Sequence, residues 1–263
     1  MNPPKEHILT TTLAEPDIRN HRVVSAEQWL VERQQLLARE RELTHLRDHI
    51  ARERRALPWV RVDKVYTFDT PSGSRTLAEL FEGRRQLLVQ HFMFGPGWAQ
   101  GCPSCSFMAD HTDGVTIHLA QRDVTMLAVS RAPLAEIERF RRRMGWRFTW
   151  VSSFGSDFNH DFNVSFTPEE KARNEVTYNY ARQPYESDEL PGISVFFRDD
   201  AGAIFHTYST YRRGVEAMMG TYSLLDLTPK GRDERDGPMA WVRHHDRYPD
   251  APAAAESCCH TQA

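Results

Sequence analysis

Cys102 and Cys105 stand in the stretch Gly101-Cys102-Pro103-Ser104-Cys105, while Cys258 and Cys259 are adjacent, so the four cysteines form two tight pairs. The first pair follows the apolar run Leu87-Leu88-Val89-Gln90-His91-Phe92-Met93-Phe94 and opens a helix-compatible segment. That placement suits dithiol redox chemistry. A thiol attacks a disulfide only as thiolate, and an unperturbed cysteine, with a pKa of about 8.5, is mostly protonated near neutrality. Unpaired N–H groups at a helix start stabilise the anion. Cys102, at the helix mouth, is the expected nucleophile. Cys105, one turn further in, is the expected resolving thiol. Pro103 contributes no N–H and presets its φ, so the helix can begin at once.

Other residues are candidates for supporting roles. His91, on the preceding strand, is placed for proton handling, against the plainer reading of a satisfied core histidine. Asp157 and Asn159 lie in a run of Ser, Asp and Asn interleaved with Phe154, Phe158 and Phe162. Such a run either lines a pocket or simply forms Asx and Ser turns. His111 and His118 are seven apart, a poor chelating spacing, which favours surface or packing roles. Cys258 and Cys259, beyond the linker-like Asp250-Ala251-Pro252-Ala253-Ala254-Ala255, are auxiliary thiols, a soft-metal trap or an unselected tail.

The elements that position these groups can be read from pattern. Ser25-Ala26-Glu27-Gln28 is a capping box, and no Gly or Pro follows until Pro58. Trp29, Leu36, Leu43 and Ile50 recur every seven residues, with Leu30, Leu37 and Leu46 beside them. A helix of about 30 residues, some 45 Å long, is predicted. It either packs along its own domain or serves as a homodimerisation arm. Beyond Pro58, strands and helices alternate. Predicted are a strand and hairpin tip over 65–73, a short helix over 76–81, a buried strand over 86–94 and a helix over 103–121 interrupted near Gly114. A strand over 124–130, a helix over 133–144, a strand over 148–151 and a β-hairpin over 193–208 follow. A final helix begins near Arg213 or Gly214. The expected organisation is an arm and long helix over 1–58, a central domain over 59–230, and a polar C-terminal extension and flexible tail over 231–263.

Strand, C-x-x-C helix, strand, helix, strand and a later antiparallel hairpin describe an α/β thioredoxin-like sandwich with an N-terminal helical extension. Trp98-Ala99-Gln100-Gly101-Cys102 resembles the entry of thioredoxin sites, with Gly101 where a second tryptophan is usual. A glycine there is expected to let a bulkier partner approach the sulfur. Trp98 is therefore a candidate for the substrate groove. Pro191, directly before a strand, occupies the position of the groove-lining cis-proline of such folds. A longer set of motifs includes Gly101 to Phe107, Val129-Ser130-Arg131-Ala132-Pro133-Leu134, Arg143-Met144-Gly145-Trp146, Val151 to Asn159, and Trp241 with His245-Asp246. Together these resemble the bacterial domain of unknown function 899 family, predicted dithiol–disulfide oxidoreductases with a thioredoxin-like fold. The resemblance spans roughly residues 25–248 and implies the same dithiol cycle.

Composition narrows the alternatives. A hydrophobic fraction of 40%, a charged fraction of 26% and a net charge of −3 are ordinary for a globular protein and give no reason to expect nucleic acid. No apolar stretch reaches the roughly 20 residues a membrane span needs, and the N-terminus lacks a secretory h-region. A cytoplasmic protein is expected, in whose reducing surroundings a C-x-x-C is catalytic or metal-binding rather than structural. The expected partners are a disulfide-bearing substrate and a cellular thiol donor, with no cofactor. Two other readings are a soft-metal-binding protein or metallochaperone using the same cysteines, and a peroxiredoxin-like peroxidase. A structural zinc site lacks a second ligand pair at suitable spacing. The peroxidase lacks the P-x-x-x-[ST]-x-x-C arrangement, because Pro96 stands at the wrong distance from Cys102.

Overall fold

Residues 18–173 and 175–249 are described by the computed structural model. The N-terminal signals produce the predicted helix. Ser25 Oγ accepts from the Gln28 N–H and Gln28 Oε1 accepts from the Ser25 N–H, each at 3.3 Å, and α1 runs Ala26–Ala56. Pro58 disfavours helical backbone at Leu57, the C-cap. No residue of α1 is buried. Trp29, Leu36, Leu43 and Ile50 remain exposed, so the helix does not pack along its own domain. Near its end the Arg54 guanidinium lies 4.8 Å from the Tyr208 ring centroid.

The strands are β1 (Val60–Arg61), β2 (Thr67–Thr70), β3 (Gly73–Thr76), β4 (Gln86–His91), β5 (Val124–Ser130), β6 (Trp150–Ser152), β7 (Val176–Tyr178), β8 (Ala181–Gln183), β9 (Gly192–Arg198) and β10 (Ile204–Tyr211). The remaining α-helices are α2 (Pro103–Ala109), α3 (Asp113–Ala120), α4 (Leu134–Arg143), α5 (Phe158–Asp161), α6 (Pro168–Ala172) and α7 (Gly220–Leu225). Eight strands form one sheet in the order β1-β10-β9-β4-β5-β6-β2-β3, and β7 pairs with β8 apart from it. β4, β5 and β6 are parallel, whereas β9 runs antiparallel beside β4 and β10 runs antiparallel to β9. Parallel neighbours require crossovers: α2 and α3 join β4 to β5, and α4 joins β5 to β6. This is the thioredoxin-like arrangement, with the 193–208 hairpin on its antiparallel side.

Each face of the sheet is covered. On one, Phe92, Cys105, Ile137, Phe140, Trp146 and Trp150 form an aromatic core under α2 and α4. On the other, Leu87, Val89, Leu127, Val129, Phe158 and Phe196 pack together. Pleating explains the division, since successive β4 residues point to opposite faces.

Three local expectations are corrected. The helix over 76–81 shrinks to a 3-10 turn, Glu79–Phe81, because Thr76 belongs to β3 and gives both its N–H and hydroxyl to Glu79 Oε2. The 103–121 helix breaks at 110–112, ahead of Gly114. There the Asp110 carboxylate accepts from Trp146 Nε1 at 2.8 Å, and the Asp113 carboxylate accepts from the Arg147 and Phe148 N–H groups. The segment from 231 is polar but docked: Met239, Trp241 and Val242 pack with Phe107 and Met108 of α2. Among the described residues no helix is long and apolar enough to cross a membrane.

Candidate active site

β4 ends at His91, and the chain then loops through Trp98 and Gly101 to reach α2. Cys102 is its N-cap, with φ −61° and ψ 131°, and Pro103 takes the first turn. The Cys102 N–H donates to the Met93 carbonyl at 3.0 Å, which ties the cysteine back to the strand end. Because Pro103 has no N–H, the first free donors of the helix belong to Ser104 and Cys105. The neighbouring Cys105 thiol, then the N–H groups of Cys105 and Ser104 and the Ser104 hydroxyl, favour the Cys102 thiolate and outweigh its burial, lowering its pKa to about 7. Cys102 is half-buried, whereas Cys105 is buried. Its hydrogen bond to Cys102 and its burial push the Cys105 thiol well up. The backbone N–H of Met93 approaches Cys105 Sγ at 3.5 Å. Cys102 is thus the more readily ionised thiol, half-buried at the cavity, and Cys105 is kept protonated behind it.

Gly101 has a purpose different from the one expected. A Cβ there would lie 2.7 Å from Phe92 Cε1 and 2.9 Å from Phe140 Cε1. The glycine lets the loop press onto the aromatic core; it does not open space for a partner. Beside it, the Gly101 carbonyl accepts from His244 Nε2 at 2.8 Å. Arg143 grips the Asp246 carboxylate with two bonds of 2.7 and 2.8 Å and Gln100 Oε1 at 3.0 Å. The docked C-terminal segment therefore braces the loop that carries Cys102.

The other candidates separate clearly. Trp98 packs with Met93 and Cys102 against the aromatic core. Pro191 lines the cavity into which both cysteines open, but its peptide bond is trans, since no cis bond is present among the described residues. His91 is not brought to the dithiol. It is buried on the opposite face, stacked on Phe162, with Nε2 at 2.7 Å from Ser194 Oγ. Desolvation holds its pKa down, at about 3, so it is neutral. Gln90, its neighbour, is the β4 residue turned toward the thiols: its Nε2 donates to the Cys105 carbonyl at 3.3 Å. Strand alternation sends Gln90 and His91 to opposite faces of β4, but the sequence alone does not say which face meets the helix.

Asp157 and Asn159 also lie away from the cavity. Asp157 pairs with Lys64 at 2.8 Å. Asn159 is buried, accepting from Ser153 Oγ at 2.8 Å and from the Val164 and Ser165 N–H groups through its carbonyl. It organises its own loop, in keeping with the turn reading. His111 bonds the Phe107 carbonyl and Thr221. Cys258 and Cys259 fall outside the described residues. Among the described residues no group of three or more His, Cys, Asp or Glu side chains is arranged to hold a metal.

Two features escaped the sequence reading. Glu189, two residues before Pro191, is 2% exposed. It is held by Ser165 Oγ and by Arg131, whose Nη1 lies 3.3 Å from Oε1. Burial outweighs both and pushes its pKa up to about 7. The second is the cavity itself, about 1140 Å³, whose wall draws on residues from Met93 to Met239.

A parallel β–α–β unit with a C-x-x-C at the mouth of its helix and an antiparallel hairpin alongside defines a thioredoxin-like protein carrying a dithiol. The chain belongs to the bacterial protein family of unknown function DUF899, whose profile matches residues 18–248. Among solved structures, a PrxQ mutant from Xylella fastidiosa is 14% identical, with 60% of this chain and 88% of that chain covered at a TM-score of 0.39. Peroxidoxin BcpB from Mycobacterium tuberculosis is 12% identical, with coverages of 62% and 96% and a TM-score of 0.39. A protein described as a disulfide isomerase from Bacteroides thetaiotaomicron is 16% identical, with coverages of 68% and 94% and a TM-score of 0.35. No curated protein matches the chain.

Proposed function

We propose that this protein is a thiol–disulfide oxidoreductase that cycles between the Cys102/Cys105 dithiol and its disulfide. The observation that carries the reading is the asymmetry of the pair. Cys102 is half-buried with a pKa lowered to about 7, and Cys105 is buried and protonated behind it. The Cys102 thiolate attacks a substrate disulfide, one substrate sulfur leaves as thiolate, and a mixed disulfide forms. Cys105 loses its proton as it attacks Cys102 Sγ, the second substrate sulfur leaves, and two electrons have passed to the substrate. A cellular thiol donor then returns the protein to its dithiol form.

A redox titration against glutathione buffers, with disulfides mapped by mass spectrometry, tests this. A Cys102–Cys105 disulfide equilibrating between about −300 and −120 mV is expected, the span of dithiol oxidoreductases. Thiols that pair only after denaturation would sink the reading. The same thiolate can reduce a hydroperoxide, leaving a Cys102 sulfenic acid that Cys105 condenses with. Turnover on hydrogen peroxide that far exceeds turnover on small disulfides would reassign the site to peroxide reduction.

A further inference from the structure

The cavity beside the dithiol is specific in composition. Met93, Met108, Met219 and Met239 line it together with the two cysteines. Methionine is unbranched and polarisable, and it moulds to apolar chains of varied shape. The rim is charged, and most of its charge is internally neutralised. Arg213 pairs with Glu216 at 2.8 Å, Arg232 with Asp226 at 2.8 Å, and Arg235 with Asp233 at 2.8 Å.

Glu234 and Arg212 also line the cavity, without an ion-pair partner among the described residues; Glu234 is taken up by the Tyr222 hydroxyl, the Met239 N–H and Trp241 Nε1, which leaves Arg212 apart. Among the described residues no carboxylate lies within ion-pair reach of its guanidinium. Neutral acceptors hold it instead: Gln183 Oε1 at 2.7 Å and the Tyr185 hydroxyl. Its backbone is left-handed, with φ 49°, a conformation that a non-glycine residue adopts only when its surroundings impose it. Tyr178 does the imposing. Its hydroxyl donates to the Pro191 carbonyl at 2.7 Å and accepts from the Arg212 N–H at 3.2 Å. Tyr211 pairs with Gly192 across the β9–β10 ladder, so Arg212 and Pro191 lie one step beyond the same pair, on one wall of the cavity. A positive charge without a counter-ion is thus fixed at the edge of an apolar, thiol-bearing cavity.

We propose that Arg212 anchors a carboxylate, and that the substrate is a small amphipathic acid: a disulfide on an apolar chain that ends in a carboxylate. This rests on the oxidoreductase reading and names its substrate class. The planar guanidinium matches a carboxylate with two parallel hydrogen bonds. The chain lies on the methionines and brings its disulfide to Cys102. For a cyclic disulfide, Cys102 opens the ring, the freed sulfur takes a proton, and Cys105 displaces the remaining sulfur. The products are the substrate dithiol and the Cys102–Cys105 disulfide, and a thiol donor resets the protein.

The test uses the reduced full-length protein in single-turnover reactions, reading formation of the Cys102–Cys105 disulfide by mass spectrometry. The probes are lipoic acid and lipoamide, which share one disulfide ring and differ in charge, and hydroxyethyl disulfide, which is neutral. Lipoic acid is expected to react about tenfold faster than lipoamide at limiting concentration, the worth of one charge-assisted contact. In Arg212→Gln that ratio falls to about one, and Arg212→Lys keeps part of it. Equal rates for the two probes with the native protein, or a ratio that survives Arg212→Gln, overturn the proposal while leaving the dithiol reading intact. Should Arg212→Gln not fold, the native-protein ratio and its loss at high salt decide alone. If no probe, hydroxyethyl disulfide included, yields the Cys102–Cys105 disulfide, the oxidoreductase reading falls and this proposal with it.

Discussion

The two faces of β4 carry neighbouring polar residues to opposite ends. Gln90 turns toward α2, where its amide meets the Cys105 carbonyl. His91 turns into the core around Phe158 and Phe162 and starts a chain of hydrogen bonds through Ser194 and Ser209 to His206. The titratable residue is therefore sealed away from the thiols, and the one behind them has no proton to give. The difference teaches that the Cys102 anion is stabilised by donors of its own helix, with no ionisable group of β4 involved. The dithiol face is also the one that the distant C-terminal segment reinforces, through His244 and Asp246.

The comparison breaks most visibly at the cysteines. Cys102→Ser should lower disulfide turnover by about a thousandfold or more. Cys105→Ser should instead accumulate a mixed disulfide on Cys102, visible as a mass adduct. Equal residual activity in both variants would mean that the two thiols do not divide the work.

A smaller effect is expected at the loop. Gly101→Ala drives a methyl group against Phe92 and Phe140 and should cost about 1–3 kcal/mol in urea unfolding. A loss under half of that would show that the aromatic core yields more easily than its packing implies.

The pH dependence separates the faces directly. Alkylation of Cys102 by iodoacetamide should rise with pH about a midpoint near 7, where its thiol ionises. Gln90→Glu places a negative charge behind the pair and should move the midpoint upward by about one unit. His91→Leu should leave it in place; a shift would show that His91 communicates with the thiols after all.

Stability should respond with opposite signs on the two sides. His91 has its pKa lowered from 6.5 to about 3. Below pH 6.5 the unfolded chain binds a proton that the folded one refuses, so stability falls with acidification by up to about 1.4 kcal/mol per pH unit. Glu189 has its pKa raised from 4.5 to about 7. Between those values the folded state holds a proton that the unfolded one has released, so stability falls as pH rises. Glu189→Gln should therefore steepen the gain in stability from pH 4.5 to 6.5, and His91→Leu should flatten it. Unfolding midpoints across that range measure both.

The smallest effect belongs to α1. Leu36→Glu and Leu43→Glu alter exposed positions and should change the stability of the folded body by under about 0.5 kcal/mol. If the seven-residue stripe serves a homodimer, as we propose, sedimentation of the double variant will show monomer where the native chain shows dimer.

Much of the architecture was legible from residue pattern. β5 spans Val124–Ser130 as its composition predicted, and the Ser25–Gln28 box marks the true start of α1. Pro103 marks the true start of α2. These features arise from sterics and hydrogen bonds within a turn or a strand, so neighbouring residues suffice to specify them. The candidate site was legible at Cys102 and Cys105 for the same reason. His91 was misplaced because strand alternation gives two faces but does not say which one meets the helix. Asp157 and Asn159 looked like pocket residues because turn-forming and ligand-binding polar groups share a composition.

What the sequence by itself determined was the strand-to-helix delivery of a C-x-x-C, with Cys102 at the helix mouth and Cys105 inside it. Only the tertiary structure decided that Gln90 rather than His91 backs the pair. It also decided that Pro191 approaches in the trans form, that Gly101 is there for Phe92 and Phe140, and that Arg212 overlooks the thiols. The physical reason is contact distance along the chain. The Gly101–His244 bond closes over 143 residues, and such pairings form only when packing of the whole domain brings the partners together.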